Sequence, residues 1–455
     1  MGTNSYIQVP PDSTGKKMYA MQHSVNSNTV QSQVFHIGDP DNPTYQQKVD
    51  IRGQANVRFA EGSPGLDAFG NLRSSEATIL GGYEYSNGDQ ADLFQDLTAT
   101  GGNVNYTAAS ATTTLSVTSS NGSSVKRTTN RYHYYQPGNG TLVLTTTYLG
   151  DAGKANNTRR WGFYDDDNGL FFELAGTTLN VVRRSKVTGV VVEERVPQAS
   201  WNSDPMDGTG ISGIDLDLTK GNLYWIDLAW LGVGAVRFGV VAPDGSRWVA
   251  HTFENPNSNT GPYMATGTLP IRLENFNTGA TSGTSEIHHI CTAVYSESQT
   301  DYTFWRFSDI ERSTPVTVTT DTHILSMRPK STNVGGGANR AGIYPDYLSV
   351  YVTGGNVKIS IYDDCTLTSP SWTAAESLAE SDITGTIGAL GTRFRTFYVP
   401  AGVTNIDLSP YYELNDEGYH RLADNTGGYI FTLVATKLDG TTVTMAATLG
   451  YRELN

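Results

Sequence analysis

The sequence is poor in cysteine and in basic residues. It has 455 residues but only two cysteines, Cys291 and Cys365, so a disulfide scaffold or a zinc ribbon cannot be built from them. Acidic residues outnumber basic ones by 45 to 31, which gives a formal net charge of −14. Such a charge opposes binding to phosphate backbones and to anionic membranes. We therefore expect no nucleic-acid partner and no membrane partner.

Long apolar runs are also scarce. The one apolar stretch of membrane-spanning length, residues 223–242, contains Asp227, Arg237 and three glycines, which favours two strands over a membrane helix. The N-terminus, MGTNSYIQVPPDSTGKK, has no apolar core of the kind that a secretory signal needs. We expect a protein that is made as a soluble product in the cytoplasm of a host cell.

Short segments of alternating apolar and polar residues fill the middle of the chain. TTTLSVTS, WGFYD, GLFFELAG and LYWIDLAWL are typical of strands. The turns between such segments, among them DDDNG and APDGS, contain the Asn, Asp and Gly residues that hairpins require. This pattern predicts two packed sheets of the jelly-roll or lectin-like type over residues 104–300.

The same pattern continues to the C-terminus, where VTVTTDTHILSMRP, YLSVYVTG and YIFTLVATKL predict a second, Ig-like β-sandwich over residues 301–455. One short helix is predicted at residues 372–381. Residues 1–60 are short pieces broken by prolines, and residues 61–103 carry few apolar anchors. Residues 1–103 are therefore interpreted as an extended N-terminal arm and a connector, and we expect limited regular structure in the connector. The predicted fold class is all-β, with two β-sandwich domains and an extended N-terminal arm.

Asp215 and Asp217 are the first candidate for chemistry. They lie two residues apart in GIDLDLT, so on a strand both would project from one face. Sandwich-fold glycan hydrolases can place their two catalytic carboxylates in this way, but they need a third acidic residue in the same alternation, and Thr219 occupies that position. A solvent-facing polar edge is the favoured interpretation, with glycan hydrolysis and ion binding as alternatives.

Two acidic clusters have the oxygen ligands that Ca²⁺ prefers. Their residues are Asp165, Asp166, Asp167 and Asn168 in one cluster, and Asp204 and Asp207 in the other. Neither cluster has the spacing of an EF-hand loop, and turn geometry is sufficient to explain their Asp-Gly and Asn-Gly pairs. We predict turns here and keep calcium binding as the alternative.

His288, His289 and Cys291 lie close together in EIHHICTAV. On a strand His289 and Cys291 would share one face, but they are too few to close a tetrahedral metal site without distant partners. An inward cysteine beside an edge histidine pair is favoured over a site completed across a symmetry axis. No P-loop, GxSxG elbow or GxGxxG motif occurs. We therefore predict no catalytic, cofactor-binding or metal-binding residues, no cofactor, and a protein that is not an enzyme.

The seven tryptophans suggest sugar binding, because flat aromatic faces stack on pyranose rings. They are Trp161, Trp201, Trp225, Trp230, Trp248, Trp305 and Trp372. Most of them lie inside strand patterns, which predicts positions in the core or in a subunit interface. A surface minority that forms a lectin platform is the alternative.

Seven sequence blocks follow one another in a specific order. They are GLDAFGNLR, RYHYYQPGNG, GLFFELAG, SWNSDPMDGTGISGIDLDLTKG, DLAWLGVGAVRFG, LPIRLE, and SMRPK followed by NR. This order resembles a family of tailed-bacteriophage virion structural proteins of the tail, fibre or unassigned type, over nearly the whole chain. The resemblance implies membership of a virion particle, and it transfers no catalytic residues.

The favoured function is that of a non-enzymatic structural protein of a tailed-phage virion, in the tail, fibre or adsorption apparatus. We expect a symmetric homo-oligomer, with a trimer as the default, whose N-terminal arm binds other virion proteins. The alternatives are a head-exterior decoration or head-fibre protein, and a glycan-binding adhesion module that recognises host surface polysaccharide. A third, less favoured hypothesis is a glycan-degrading tailspike that uses Asp215 and Asp217.

Overall fold

A computed structural model describes residues 77–297, 305–374, 378–410, 418–422, 425–440 and 442–454, together with the backbone of three strands near the N-terminus. The chain divides into two compact units, Met1–Glu61 and Gly62–Asn455. In the first unit, three antiparallel strands pair in sequence order: β1 (Asn4–Gln8), β2 (Lys17–Val25) and β3 (Asn28–Gln33). The remainder of the predicted arm, up to residue 76, lies outside the described residues.

The second unit begins with a sandwich of two antiparallel sheets. Sheet I has the order β13-β12-β11-β10-β17-β8-β5. Its strands are β5 (Phe94–Ala99), β8 (Ser124–Thr129), β10 (Asn157–Tyr164), β11 (Gly169–Ala175), β12 (Thr178–Ser185), β13 (Val192–Pro197) and β17 (Ile271–Asn277). A single 3-10 turn, Gln198–Ser200, follows β13.

Sheet II has the order β16-β15-β14-β9-β18-β7-β6, with β4 also paired to β18. Its strands are β4 (Thr78–Glu84), β6 (Asn103–Thr107), β7 (Thr112–Val117), β9 (Thr141–Tyr148), β14 (Asn222–Leu228), β15 (Val236–Val241), β16 (Arg247–Phe253) and β18 (Ser285–Ser296).

Large aromatic side chains form the core between sheets I and II. Trp161 and Phe172 are fully buried and stack with ring centroids 5.9 Å apart, and Phe238 packs edge-on against Phe172 at 5.3 Å. Along each of their strands, side chains that face the other sheet alternate with side chains that face away from it. One face of each sheet is therefore buried against the other sheet. This alternation is the pattern that predicted the sandwich.

Two strands of this sandwich lie in the segment that we interpreted as a connector. β4 pairs with β18, and β5 pairs with β8. The expectation of little regular structure at these residues was wrong, because Leu80, Tyr83 and Phe94 anchor both strands in the sandwich core. The domain limits at residues 103 and 300 stay predictions.

The second sandwich consists of two larger antiparallel sheets and a short two-stranded one. Sheet III has the order β19-β30-β21-β28, sheet IV has the order β24-β25-β20-β29-β22-β27, and β23 pairs with β26. The strands are β19 (Trp305–Val318), β20 (Thr322–Pro329), β21 (Gly342–Thr353), β22 (Val357–Asp363), β23 (Thr366–Thr368), β24 (Thr373–Ala374), β25 (Ala379–Asp382), β26 (Thr386–Ala389), β27 (Thr392–Val399), β28 (Gly402–Asp407), β29 (Phe431–Lys437) and β30 (Val443–Leu454).

Aliphatic residues dominate the second core, which has a smaller share of aromatic residues than the first. Ile324, Leu348, Ile359, Leu433 and Leu449 are fully buried in it. The helix predicted at residues 372–381 was wrong, since β24 and β25 occupy its described positions and pair with each other. The predicted all-β fold class is confirmed by the antiparallel sheets of the described residues. Among these residues, no helix is long and apolar enough to cross a membrane.

Candidate functional site

The two sandwiches contact each other directly. Tyr134 of the first sandwich packs with Tyr344 and Leu454 of the second in a small buried cluster. The Asn130 side chain donates a hydrogen bond to the Tyr429 hydroxyl at 2.8 Å, and this hydroxyl in turn donates to the backbone carbonyl of Asp92. Apolar burial and paired polar groups therefore join the two sandwiches at this boundary.

A cleft of about 510 Å³ opens beside this contact, and we call it the junction cleft. The first sandwich lines it with Ile79, Leu80, Gly81, Gly82, Tyr83, Asp92, Leu93, Asn130 and Arg131. The second sandwich lines it with Asp363, Asp364, Thr392, Phe394, Gly418, Tyr419, His420 and Tyr429. Its volume lies within the range of about 300 to 1,000 Å³ that is typical of small-molecule sites, which often form between domains.

Strand β4 forms one wall of the cleft, and a β-bulge shapes it. The register between β4 and β18 shifts by one residue, so Leu80 has no direct partner between Ile79 and Gly81. A Cβ added at Gly81 would lie 2.4 Å from His133 Nε2, whereas one added at Gly82 would meet no atom within 4 Å. The bulge bends the strand, and the glycine at position 82 leaves open space along the wall.

Two adjacent carboxyl groups at the end of β22 form the opposite wall. The Tyr419 hydroxyl donates a hydrogen bond to Asp363, and the Ile430 N–H donates to Asp364 Oδ1 at 2.9 Å. Burial raises the pKa of both carboxyls, and their hydrogen bonds oppose this rise. The negative charge of Asp364 raises the pKa of Asp363 further, and that of Asp92 does the same for Asp364. The cleft thus presents partly desolvated, acidic hydrogen-bond acceptors.

Aromatic rings complete the lining. Tyr83 and Tyr419 are buried and support the walls, while Phe394 and Tyr429 are half-buried. Both half-buried rings pack against the core of the second sandwich, so their positions are fixed by tertiary contacts. A ligand that enters the cleft meets rings and carboxylates together.

A second polar cluster lies on the face of sheet I that points away from the core. We call it the charge ladder, and its residues are Lys126, Arg160, Asp166, Glu173, Arg184, Glu193, Arg195, Arg272 and Glu274. Arg160 lies in register between Glu173 and Glu274 on the neighbouring strands. Its guanidinium group contacts Glu173 at 2.8 Å and Glu274 at 3.5 Å.

The ladder covers an aromatic patch. Tyr164, Phe171 and Val182 form a fully buried cluster on this face. The guanidinium groups of Arg160 and Arg184 lie about 5 Å from the centre of the Phe171 ring. Each carboxylate of the ladder contacts at least one of its cations, so we interpret the ladder as a stabilising element and take the junction cleft as the candidate site.

Asp215 and Asp217 do not project from a strand, so that expectation was wrong. They lie in a loop, where Asp215 forms an isolated bridge with Asp207. Asp217 Oδ1 accepts hydrogen bonds from the Thr219 N–H at 2.9 Å and from its hydroxyl at 2.6 Å. These bonds lower the pKa of Asp217 to about 2, whereas a general acid needs a raised pKa.

The acidic clusters organise turns, as the sequence predicted. Asp165 Oδ1 accepts the backbone N–H groups of Asp167 and Asn168, both at 2.8 Å. Asp204 accepts the N–H groups of Met206 at 2.9 Å and of Ser212 at 2.7 Å. Within the part of the chain that the structure describes, no group of three or more His, Cys, Asp or Glu residues is arranged to hold a metal ion.

His289 and Cys291 lie on different faces of β18, so the prediction of a shared face was wrong. The register shifts between these two residues, which turns the strand by one position. His289 is fully buried, and its ring nitrogens form hydrogen bonds with the Tyr85 and Thr292 hydroxyls, both at 2.7 Å. Burial lowers the pKa of His289 to about 3.

Three of the seven tryptophans are core residues. Trp161, Trp201 and Trp225 are buried. Trp230, Trp248 and Trp372 are half-buried, and Trp372 lies 3.9 Å from the guanidinium carbon of Arg328. The side chain of Trp305 lies outside the described residues. The aromatic residues of the junction cleft are tyrosines and a phenylalanine, which the sequence analysis did not single out.

The sequence matches no family model and no curated protein. Its fold is similar to that of a glycosyl hydrolase family protein from Mycobacterium fortuitum, with 10% identity, 48% of this chain and 99% of that chain covered, and a TM-score of 0.34. It is also similar to the carbohydrate recognition domain of Emp47p (10% identity, 49% and 97% covered, TM-score 0.31) and to a legume lectin-like domain from Entamoeba histolytica (9% identity, 49% and 99% covered, TM-score 0.29). TM-scores this low carry no inference about function.

Proposed function

We propose that this protein is a non-enzymatic glycan-binding protein, and that the junction cleft binds one or a few sugar residues of a larger glycan. The observation that carries the proposal is the junction cleft itself, which has a volume of about 510 Å³ and is lined by half-buried aromatic rings and partly desolvated carboxyl groups. Sugar rings have apolar C–H faces that stack on aromatic rings and hydroxyl groups that donate hydrogen bonds to carboxylates.

The charges of the cleft favour an uncharged saccharide. Asp92, Asp363 and Asp364 line the cleft, and Arg131 is the cationic side chain beside them. Carboxylates accept hydrogen bonds but cannot donate them unless protonated, so hydroxyl groups complement them. A phosphorylated or carboxylated ligand would meet like charge in a site of reduced dielectric.

A glycan array probed with the labelled full-length protein tests this proposal. The full chain is required because both sandwiches line the cleft. We expect selective binding to neutral glycans. Phe394→Ala or Asp364→Asn should each weaken binding about five- to thirtyfold, since each change removes a ring contact or a charged acceptor worth about 1 to 2 kcal/mol. Mass spectrometry of the glycan after incubation should return it intact.

Asp244→Asn is the matched control, because this exposed aspartate lies in the turn between β15 and β16 and does not line the cleft. It should bind an array hit as the unmodified protein does. Binding that survives both cleft variants would contradict the cleft assignment, and shortened glycan products would show an enzyme instead. If the protein binds no neutral glycan on the array selectively, the proposal of glycan binding at this site is wrong.

Membership of a tailed-phage virion is a separate proposal that is supported by the ordered sequence blocks. The division between residues 1–61 and the remainder of the chain favours an attachment role for the N-terminal unit. Deletion of residues 1–60 should leave both sandwiches folded while preventing incorporation into particles. Electron microscopy of particles from complementation with the truncated chain checks this, and normal incorporation would contradict the arm assignment.

A further inference from the structure

The face of sheet III that points to solvent carries exposed aromatic side chains. Tyr347 and Tyr351 project from β21, and they are 42% and 49% exposed. They lie four residues apart on one face, which corresponds to a separation of about 13 Å along the strand. Aromatic rings that share one open sheet face can stack on a ligand.

A glycine determines the position of the first ring. Tyr347 lies in register opposite Gly450 of β30, and a Cβ added at Gly450 would lie 1.9 Å from one ring atom of Tyr347 and 2.3 Å from another. The ring therefore occupies the space above Gly450 where a side chain would stand, packed against the sheet. One of its faces is covered by the sheet, and the other is available to a ligand.

Polar side chains fill the row between the two tyrosines. Ser349 lies opposite Asn405 on one side and Thr448 on the other, and its hydroxyl donates a hydrogen bond to Asn405 Oδ1 at 2.7 Å. Asn405 is exposed, so its amide group is accessible to a ligand. The order along β21 is thus ring, neutral hydrogen-bonding group, ring.

The charge of this face restricts the ligand further. Asp309, Glu311 and Asp407 are exposed on it, in the rows that contain Tyr347 and Ser349. The nearby Arg452 is paired with Asp346 at 3.0 Å. An anionic polymer would be repelled, whereas hydroxyl groups would find carboxylate acceptors.

We propose that Tyr347, Tyr351 and the polar row between them bind an extended, neutral polysaccharide chain. The tyrosine spacing suits a ligand that is long enough to reach both rings, unlike the short saccharide proposed for the junction cleft. This inference does not depend on the cleft, because the two sites share none of these residues.

Affinity electrophoresis of the full-length protein tests the proposal with three neutral probes, hydroxyethylcellulose, galactomannan and mixed-linkage β-glucan, and with alginate as an acidic probe. We expect retardation by at least one neutral probe and none by alginate. Tyr347→Ala/Tyr351→Ala should weaken that retardation about tenfold, since both stacked rings are lost.

Tyr398→Ala is the matched control, because this tyrosine is 73% exposed but lies on β27 of sheet IV. It should be retarded like the unmodified protein. Unchanged thermal unfolding would show that the double variant is folded.

Three results would overturn the proposal. The first is no retardation by any neutral probe, and the second is retardation that the double variant retains. The third is binding of the protein to polylysine that is lost both at high salt and in the double variant. This result would assign the face to a basic peptide. If Phe394→Ala loses array binding while polysaccharide retardation is intact, the two sites are independent.

Discussion

The outward faces of sheet I and sheet III have opposite characters. On sheet I, the charge ladder covers Phe171 and Tyr164, and these rings are inaccessible. On sheet III, Tyr347 and Tyr351 have no such cover. Both faces are built from antiparallel strands with alternating side chains, so strand geometry does not explain the difference. What differs is whether long cationic side chains occupy positions beside the rings, since they can fold over them and pair with carboxylates.

The largest expected effect comes from breaking the charge ladder. The Glu173 side chain is only 1% exposed and accepts from Arg160 at 2.8 Å and Arg195 at 2.7 Å. Glu173→Ala removes both of these ion pairs and leaves Arg160 only its longer contacts with Glu193 and Glu274, so the free energy of unfolding should fall by about 3 kcal/mol. Urea denaturation followed by tryptophan fluorescence measures the change.

Glu194→Ala is the control for this ladder variant. Its side chain is 50% exposed and pairs with Arg183, so its removal should cost no more than about 1 kcal/mol. If the two variants lose equal stability, the ladder is not desolvated and the proposed contrast with sheet III fails.

Acid should destabilise the first sandwich. Burial lowers the pKa of both His133 and His289 to about 3 from an ordinary value of 6.5. Below pH 6.5 the unfolded chain therefore binds protons at these two histidines that the folded chain does not bind. Stability should therefore fall progressively as the pH drops from 6.5 towards 3.

Hydrogen exchange with mass spectrometry at a series of pH values checks this prediction and separates the two sandwiches. In the second sandwich, the negative charge of Asp382 partly offsets the lowering of the His323 pKa. The protection of the second sandwich against hydrogen exchange should therefore change less with acid. His289→Gln should reduce the pH slope of the first sandwich. A slope that does not change in this variant would show that another group titrates.

Gly450→Ala should separate ligand binding from stability on sheet III. The new methyl group would collide with the Tyr347 ring, which is partly exposed and can rotate away at a cost of about 1 kcal/mol or less. Affinity electrophoresis should then show weakened polysaccharide binding with nearly unchanged thermal unfolding. Gly221→Ala, which meets open space and lies outside both proposed sites, should leave this binding intact. Normal binding by Gly450→Ala would mean that the flat ring is not required.

The smallest effect is expected at Asp215 and Asp217. Because they cap a loop, Asp215→Asn/Asp217→Asn should leave the urea midpoint and any glycan-cleaving activity unchanged. Reducing-sugar assays on the array hits measure that activity. A loss by orders of magnitude would assign catalysis to these carboxylates.

Local signals made the strands and turns predictable. Alternation around Trp161 and Phe172 predicted the sandwich of sheets I and II, and the DDDNG turn is closed by Asp165 as turn chemistry requires. The prediction that His289 and Cys291 share a face was wrong, because one bulged residue moves every later side chain of the strand to the opposite face. No local sequence pattern marks that bulge.

The junction cleft could not be predicted in this way. Asp92 and Asp364 come from different sandwiches, and neither has a neighbour in sequence that marks it as part of a site. The exposed position of Tyr347 was equally hidden, because a tyrosine in an alternating strand is usually buried on one face. Long-range packing decides which face that is.

The all-β class, most strand positions and the turn residues follow from the sequence alone, since backbone preferences and alternation act over a few residues. The contact between the two sandwiches, the cleft beside it and the accessibility of Tyr347 and Tyr351 were decided by the tertiary structure. These features depend on which distant side chains meet, and local patterns do not encode that.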